Sequence, residues 1–202
     1  MDENSLIEFA QQGDLDAFNR LILLYQETAF NLAARLMNDP AAADDAVQEA
    51  FISAYKHLRS FRGGSFRAWV LRIVTNACYD EMRRRKRRPT VPLEPLSQDD
   101  EEIESPAWLA DPGESPEEAA VRHELGRAIQ DCLDRLPVEF RTVVVMIDIE
   151  GLDYEEAASA IHKPLGTIKS RVSRARQRLQ DCLKGFRELL PASLRFEEEL
   201  AG

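Results

Sequence analysis

The sequence predicts an all-α protein of two small helical domains joined by a flexible, acidic, proline-rich linker. Apolar residues recur at helical spacing on both sides of the linker, and residues 14–88 show no alternating strand pattern. The intervening segment has few large apolar residues and holds six of the ten prolines, so it cannot bury a core of its own. The predicted divisions are a first domain over 1–88, a linker over 89–118, a second domain over 119–186 and a tail over 187–202.

The first domain is predicted to contain three long helices. The first carries the apolar positions Phe18, Leu21, Ile22, Tyr25, Ala29, Leu32 and Leu36. The second starts at Asp39 and Pro40, because proline is favoured at the first helical position. The third starts after the Gly63-Gly64 pair with Ser65 as its N-cap.

The second domain carries a helix-turn-helix pattern. Asp153 followed by Glu156 is a capping-box signature, and Thr167 after Gly166 is a second candidate N-cap. Residues 162–166 contain Pro164 and Gly166 and are expected to break the helix between these two starts. An upstream helix that starts at Pro137 and stops at Gly151 would complete a small core.

The second helix of this pattern has one apolar face and one basic, polar face. Its apolar face comprises Ile168, Val172, Ala175 and Leu179, and its opposite face Lys169, Ser170, Ser173, Arg174 and Gln177. A basic helix could also be a calmodulin-like target or lie on a membrane surface. The exposed face lacks the large apolar side chains that both of those roles need, and its composition suits the major groove of DNA.

Charge is unevenly distributed in a chain with a net charge of -10. The stretch from Lys56 to Arg88 holds eleven basic and two acidic residues, whereas Glu94 to Glu118 holds ten acidic residues and no basic one. Two interpretations of the acidic linker stay open. It is either a solvating spacer or an acidic strand that competes with nucleic acid for a basic channel.

The second helix of the first domain places an isoleucine among acids and amides on the face opposite its core side. This face comprises Asp45, Gln48, Glu49, Ile52 and Tyr55. It could bind a protein, or Ile52 could be an ordinary exposed apolar residue. A catalytic carboxylate cluster is a third interpretation, but no nucleophile, phosphate-binding loop or metal-ligand spacing accompanies it.

The third helix of the first domain carries a stripe of aromatic, cationic and amide side chains. Its members Trp69, Arg72, Asn76, Tyr79 and Arg83 recur within about a quarter turn of one another. This set suits unstacked bases and a phosphate backbone, although both aromatics could instead complete the core. The run RRRKRR over 83–88, which includes Arg84, favours a polyanionic partner.

The sequence predicts no catalytic, cofactor or metal site. Cys78, Cys132 and Cys182 form no CxxC pair, so buried thiols are predicted rather than a disulfide framework or a zinc site. The three histidines are isolated from one another. Residues 1–14 are acidic and polar, and no apolar run is long enough to span a membrane, so a cytoplasmic protein is expected.

Two segments resemble the extracytoplasmic-function group of bacterial sigma factors, the compact class with only the second and fourth sigma regions. DDAVQEAFISAYKHLRSFRGGSFRAWVLRIVTNACYDEMRRRKRR resembles the second region, and LPVEFRTVVVMIDIEGLDYEEAASAIHKPLGTIKSRVSRARQRL resembles the fourth. The resemblance covers about residues 10–186. It implies a promoter-specificity subunit that acts by binding core RNA polymerase and not by catalysis, usually held inactive by an anti-sigma factor.

The resemblance also implies roles for single residues. Asp45, Gln48 and Glu49, with Ile52 beside them, match the cluster that grips the clamp helices of the polymerase β′ subunit. The stripe from Trp69 to Arg83, with Arg84, matches the element that reads the single-stranded minus-ten bases. The recognition helix of the duplex minus-thirty-five element is matched by Thr167, Lys169, Ser170, Arg171, Ser173 and Arg174.

Other functions compete with this interpretation, and two features depart from the family pattern. A stand-alone helix-turn-helix regulator would bind duplex DNA by itself and usually dimerise, but no dimerisation helix is evident. A phosphoryl-transfer or nucleotide-modifying enzyme would need a catalytic constellation that the sequence lacks. Ser173 is smaller than the side chain that the family often carries there, and the tail over 187–202 has no counterpart in the minimal pattern.

Overall fold

The computed structural model describes residues 2–87 and 116–189, with side chains over 2–87 and 119–189. The described residues form α-helices without a strand, which confirms the all-α prediction. The helices are α1 Glu3–Gln11, α2 Leu15–Met37, α3 Pro40–His57, α4 Phe66–Arg87, α5 Pro116–Asp134, α6 Val138–Val144, α7 Tyr154–Ile161 and α8 Leu165–Leu183. A π-helical turn, Val145–Ile149, continues α6, and 3₁₀ turns at Leu58–Ser60 and Lys184–Phe186 follow α3 and α8.

Two helix starts in the first domain lie where the sequence predicts them. Asp39 caps α3, because its carboxylate accepts the Ala42 N–H at 2.9 Å and Pro40 opens the helix. The Ser65 hydroxyl accepts the Ala68 N–H at 3.1 Å and caps α4. Both ends thus satisfy a backbone donor that would otherwise lack a partner.

The first helix, α1, is an element that the sequence analysis missed. Asp2 caps it by accepting the Ser5 N–H at 2.9 Å. The Gln11 amide at its end donates to the carbonyls of Leu58 at 3.1 Å and Phe61 at 3.0 Å. Its apolar face buries Leu6, Ile7 and Ala10. Apart from the exposed Phe9, these three residues are the only apolar positions in α1, so the helical pattern in the sequence is short.

The core of the first domain lies between α2, α3 and α4. Its fully buried side chains include Leu21, Leu32, Leu36, Leu58, Phe66, Leu71 and Val74. Each such side chain contributes roughly 1.5–3 kcal/mol when removed from water. The Phe66 ring centroid lies 5.4 Å from that of Phe61 and 5.4 Å from that of Trp69, so aromatic packing fixes the start of α4.

In the second domain, α7 has the predicted capping box. Asp153 accepts the Glu156 N–H at 2.7 Å, and the Glu156 carboxylate accepts the Asp153 N–H at 3.2 Å. His162, with φ of 50°, ends α7 in the left-handed conformation. Ala157, Ile168, Val172 and Val143 then form a buried cluster that holds α8 against α6 and α7.

The predicted N-cap of α8 is wrong. The helix starts at Leu165 after Pro164, and Thr167 lies inside its first turn, where its N–H donates to the Pro164 carbonyl at 2.8 Å. Pro164 has the fixed φ that suits a position just before a helix, and it closes the break after only His162 and Lys163. Gly166 therefore lies within the helix instead of ending a turn.

The two domains pack directly on one another, an arrangement for which the sequence carries no signal. Arg141 of α6 donates to the Leu36 carbonyl at 2.8 Å, and Ser65 donates to the Glu156 carboxylate at 2.7 Å. The Arg67 guanidinium donates to the carbonyl of Glu150. Buried apolar residues of both domains belong to one continuous cluster. These contacts place α6 against α2 and α7 against α4.

The cysteine prediction is correct for one residue and wrong for two. Cys78 is a free, buried thiol, as expected. Cys132 of α5 and Cys182 of α8 form a disulfide, with their Cα atoms 5.8 Å apart across a sequence separation of 50. Sequence spacing could not reveal this pair, because it forms only when the C-terminal end of α5 packs against the C-terminal end of α8.

Candidate polymerase and nucleic-acid interfaces

The exposed face of α3 is the first candidate surface. Its opposite face is anchored by small buried residues, so the helix cannot rotate to hide this side. Asp45, Gln48, Glu49 and Ile52 are all exposed, and Ile52 keeps 57% of its surface in contact with solvent. Tyr55 lies one turn further along and is 40% exposed, with its ring against that of Phe18 at 5.0 Å.

This α3 patch carries unneutralised negative charge within the described part of the chain. The Gln48 amide donates to the Asp44 carboxylate at 2.6 Å. Among the described residues, neither Asp45 nor Glu49 forms an ion pair. The arrangement of carboxylates around an exposed isoleucine suits a protein partner that offers cations around an apolar pocket.

The stripe on α4 is the second candidate surface, and the structure exposes only part of it. Asn76, Arg83 and Arg84 are exposed, whereas Trp69, Arg72 and Tyr79 are half-buried. Arg83 pairs with Asp80 at 3.0 Å, and Arg84 pairs with Glu81 at 2.7 Å. Both guanidinium groups are mostly exposed, and Glu81 has a second ion pair with Arg85, so both arginines can exchange their partners for phosphates at a cost of roughly 1 kcal/mol.

The two aromatic side chains of the stripe are held by packing. The Trp69 ring lies against Phe61 at 5.5 Å, in the aromatic cluster of the core. The Tyr79 hydroxyl bonds to the Thr142 hydroxyl of α6 at 2.6 Å, and burial raises the pKa of Tyr79. Part of the stripe is therefore covered by the second domain.

The outer face of α8 is the third candidate surface. Lys169, Ser170, Ser173 and Arg174 are exposed, and Thr167 and Arg171 are half-buried. The Ser170 hydroxyl donates back to the Thr167 carbonyl at 2.9 Å. With Ile168, Val172 and Ala175 buried beneath it, α8 is a rigid rod that presents cations and hydroxyls to one side.

A residue that the sequence analysis did not name fixes the orientation of α8. Arg176 makes a two-point contact with the Asp148 carboxylate of the π-helical turn, at 2.5 and 3.0 Å. This hydrogen-bonded carboxylate raises the pKa of Arg176. A shallow groove beside the pair is lined by Tyr154, Lys169, Ser173, Arg176, Gln177 and Gln180. The spacing in the sequence could have indicated Arg176, because it lies seven residues, or two helical turns, after Lys169 and therefore on the same face of α8.

Both domains match family models. Residues 21–88 match sigma-70 region 2, and residues 126–179 match sigma-70 region 4. The chain is 37% identical to RNA polymerase sigma-H factor of Pseudomonas aeruginosa over 183 residues, which cover 90% of this chain and 94% of that protein. It is also 37% identical to the ECF RNA polymerase sigma-E factor of Haemophilus influenzae, over 89% of this chain and 94% of the other.

The chain belongs to the ECF RNA polymerase sigma factors. ECF sigma factor SigW of Bacillus subtilis is 34% identical over 88% of this sigma factor and 95% of its own length. The family resemblance stated from the sequence is thereby confirmed.

Solved structures share the fold of this sigma factor. CnrH, solved in complex with the cytosolic domain of CnrY, matches with a TM-score of 0.65 and 26% identity, over 91% of this chain and 97% of that chain. The sigma factor RpoE of Bartonella quintana, solved with the anti-sigma factor NepR, matches with a TM-score of 0.64 and 30% identity, over 84% and 98% of the two chains.

Several predicted features of this sigma factor lie outside the described residues. The linker up to residue 115, Arg88 of the basic run and the tail from 190 onward are not described. Over residues 2–87 and 116–189, no helix is long and apolar enough to cross a membrane. The same residues contain no cluster of three or more side chains that could hold a metal ion.

Proposed function

We propose that this sigma factor binds core RNA polymerase in the cytoplasm and directs it to promoters through two separate DNA contacts. The observation that carries the proposal is the amphipathic build of α8, with three apolar residues buried and Lys169, Ser170, Ser173 and Arg174 exposed on the other side. A rigid helix with this face fits the major groove of duplex DNA. It would read the minus-thirty-five element.

The α4 stripe supplies the second contact. Asn76, Arg83 and Arg84 are already exposed and can meet the phosphate backbone of a single strand. Tyr79 would stack with an unpaired minus-ten base once the second domain moves away, and the exposed part of half-buried Trp69 would contact a neighbouring base. Binding of core polymerase would provide the free energy for that separation, because the interface between the domains is rich in polar contacts that water or a partner can replace.

The α3 patch is the proposed contact with polymerase. Asp45, Gln48 and Glu49 would bind the clamp helices of the β′ subunit, with Ile52 in an apolar pocket at the centre. The acidic linker would run through the basic interior of the enzyme, with further contacts to the β subunit. This role explains why ten acidic residues without a basic one stand between two DNA-binding domains.

An anti-sigma factor is the proposed inhibitor. The likeness to CnrH and RpoE, both solved with a bound partner, supports this inference. A protein that holds the two domains together would keep Tyr79 bonded to Thr142 and away from promoter bases. Neither a small-molecule substrate nor catalysis has a place in this mechanism.

Single-round transcription on a promoter library tests the proposal. Purified core polymerase is used with and without the sigma factor, and gel shifts are run with the sigma factor alone. We expect transcripts that depend on the protein and share two upstream elements, together with weak binding by the isolated chain. Tight duplex binding without polymerase and no new transcripts would support the stand-alone regulator instead.

A charge reversal tests the α3 patch. Glu49→Lys should weaken binding to core polymerase at least tenfold, since truncating or reversing one central charge of a desolvated contact typically costs about 2 kcal/mol or more. Glu8→Lys on exposed α1 makes the same charge change elsewhere and is the control. Equal polymerase affinity for both variants would place the contact outside the patch.

A further inference from the structure

The disulfide between Cys132 and Cys182 ties together two helices of the DNA-reading domain. Cys132 lies in α5 and is only 1% exposed, whereas Cys182 lies in the last turn of α8 and is half-buried. Their bond closes the whole helix-turn-helix into one loop. It is the one covalent cross-link between α5 and α8 besides the backbone in the described part of the chain.

The chemical setting of this bond differs from that of a structural disulfide in a secreted protein. Transcription takes place in a compartment whose dithiols keep protein thiols reduced, so disulfides there are usually transient. We propose that Cys132 and Cys182 are a reversible dithiol–disulfide site, and that its state controls the order of the C-terminal half of α8. The chemistry and its structural effect are independent of the proposed function, whereas the effect on transcription rests on it.

The two cysteines have distinct roles in this site. Cys182 is accessible, and a guanidinium nitrogen of Arg135 lies 3.7 Å from its sulfur, where the cation favours the thiolate. Cys182 is therefore the attacking thiol, and buried Cys132 is the resolving thiol. Cys78 makes the contrast: it is fully buried in the first domain, and burial raises the pKa of its thiol to about 12.

Oxidation by a small-molecule disulfide proceeds in two exchanges. The Cys182 thiolate attacks one sulfur of the oxidant, forms a mixed disulfide and releases one small thiolate. Cys132 then loses its proton and attacks the Cys182 sulfur, which releases the second small thiol. Both protein thiols are thus oxidised by two electrons in total, and one small disulfide is reduced to two thiols. A dithiol reductant reverses the sequence.

The anchoring of α8 explains why the bond matters to this helix. Its N-terminal half is held by buried Ile168, Val172 and Ala175. Beyond Ala175, Leu179 is only partly buried, and the Arg178 guanidinium lies over the Phe140 ring at 5.0 Å. When the disulfide is reduced, the last two turns are held by these weaker contacts and by the partly exposed Arg176–Asp148 ion pair, so that end of α8 is expected to open more often.

The first experiment measures the thiols of the full-length chain. The protein is equilibrated in mixtures of reduced and oxidised glutathione, quenched with an alkylating reagent under native conditions and analysed by mass spectrometry. We expect the alkylation adduct on Cys182 to disappear as the mixture becomes more oxidising, while a disulfide-linked pair of Cys132 and Cys182 peptides appears and Cys78 stays unmodified. Loss of the Cys182 adduct without that linked pair, or a bond that millimolar dithiol never reduces, would overturn the proposal.

Single cysteine variants test the assigned roles. Cys132→Ser should trap a stable glutathione adduct on Cys182, whereas Cys182→Ser should leave Cys132 almost unmodified because it is buried. Cys78→Ala is the matched control and should keep the paired behaviour. If Cys132→Ser does not fold, adduct formation on the reduced wild-type protein and on Cys182→Ser still tests which cysteine is the attacking thiol. Faster adduct formation on Cys132 than on Cys182 would contradict the assignment.

Amide hydrogen exchange tests the structural consequence. Residues 176–183 should exchange about tenfold faster in the reduced protein, with residues 165–175 nearly unchanged. Holoenzyme transcription should fall about threefold on reduction, because a loosened helix must be reordered on DNA. Equal exchange in both states would refute the effect on α8. Altered exchange without any promoter-dependent transcript would instead leave the redox site intact and count against the proposed function.

Discussion

Arg141 offers the sharpest test of how the two domains are held together. Its guanidinium pairs with Asp134 at 2.7 Å and donates to the Asp134 carbonyl at 2.9 Å, both within the second domain. The same group donates to the Leu36 carbonyl of the first domain at 2.8 Å. Arg141→Ala therefore removes one ion pair and two hydrogen bonds in a single change.

The magnitude follows from the burial of the pair. Breaking a buried ion pair costs about 3–5 kcal/mol, because the remaining charge is left without a partner. The Arg141 side chain is 13% exposed, but that of Asp134 is 29% exposed, so water can partly solvate the carboxylate. Burial also raises the pKa of Asp134, which eases its protonation once the arginine is gone. We expect a loss of about 2–3 kcal/mol in the free energy of unfolding.

Thermal and urea denaturation followed by circular dichroism measure this loss. A change of about 2–3 kcal/mol corresponds to a Tm lower by roughly 4–12 °C for a chain of this size. Lys184→Ala is the control, since its pair with Asp181 is more than half exposed on both sides and should contribute under about 0.5 kcal/mol. Small-angle scattering should also show a larger radius of gyration for Arg141→Ala. Equal stability and size for the two variants would refute the reasoning.

Three further outcomes are expected. Asp153→Ala should lower the free energy of unfolding by about 1 kcal/mol through loss of the α7 cap, measured by urea denaturation; no loss would show that the cap is dispensable. Burial raises the pKa of Glu150 from 4.5 to about 7, so the folded state holds its proton more tightly and stability should fall as pH rises from about 4.5 to 7. Glu150→Gln should flatten that slope, and an unchanged slope would assign it to other groups. Arg174→Ala should make the slope of log affinity for promoter DNA against log salt concentration shallower, by the amount that about one phosphate contact contributes. An unchanged slope would place this side chain away from the DNA backbone.

Local signals in the sequence predicted most helix boundaries of the fold. Capping residues such as Asp39 and Asp153 and the periodic apolar positions act within a few residues of the chain, so their effect can be read without a tertiary structure. The start of α8 was misplaced because two local signals competed. Pro164 ended the break earlier than Gly166 and Thr167 indicated.

The exposure of two candidate surfaces could be predicted from the sequence, whereas that of the third could not. The α3 patch and the outer face of α8 follow from helical periodicity, because each has a clear buried face opposite to it. The α4 stripe does not, since Trp69 packs in an aromatic cluster and Tyr79 bonds to another domain. Arg176 was missed because its partner, Asp148, lies 28 residues away on a different element.

By itself, the sequence determined the all-α class, the two sigma regions and the separation of basic domains by an acidic linker, because these depend on periodicity, charge and motif order. The tertiary structure alone decided that the second domain covers Tyr79, that Arg141 bridges to the Leu36 carbonyl, and that Cys132 meets Cys182. Those contacts join residues 50 to 105 positions apart. Chain neighbours do not specify them, since they depend on how whole helices pack once their apolar faces leave water.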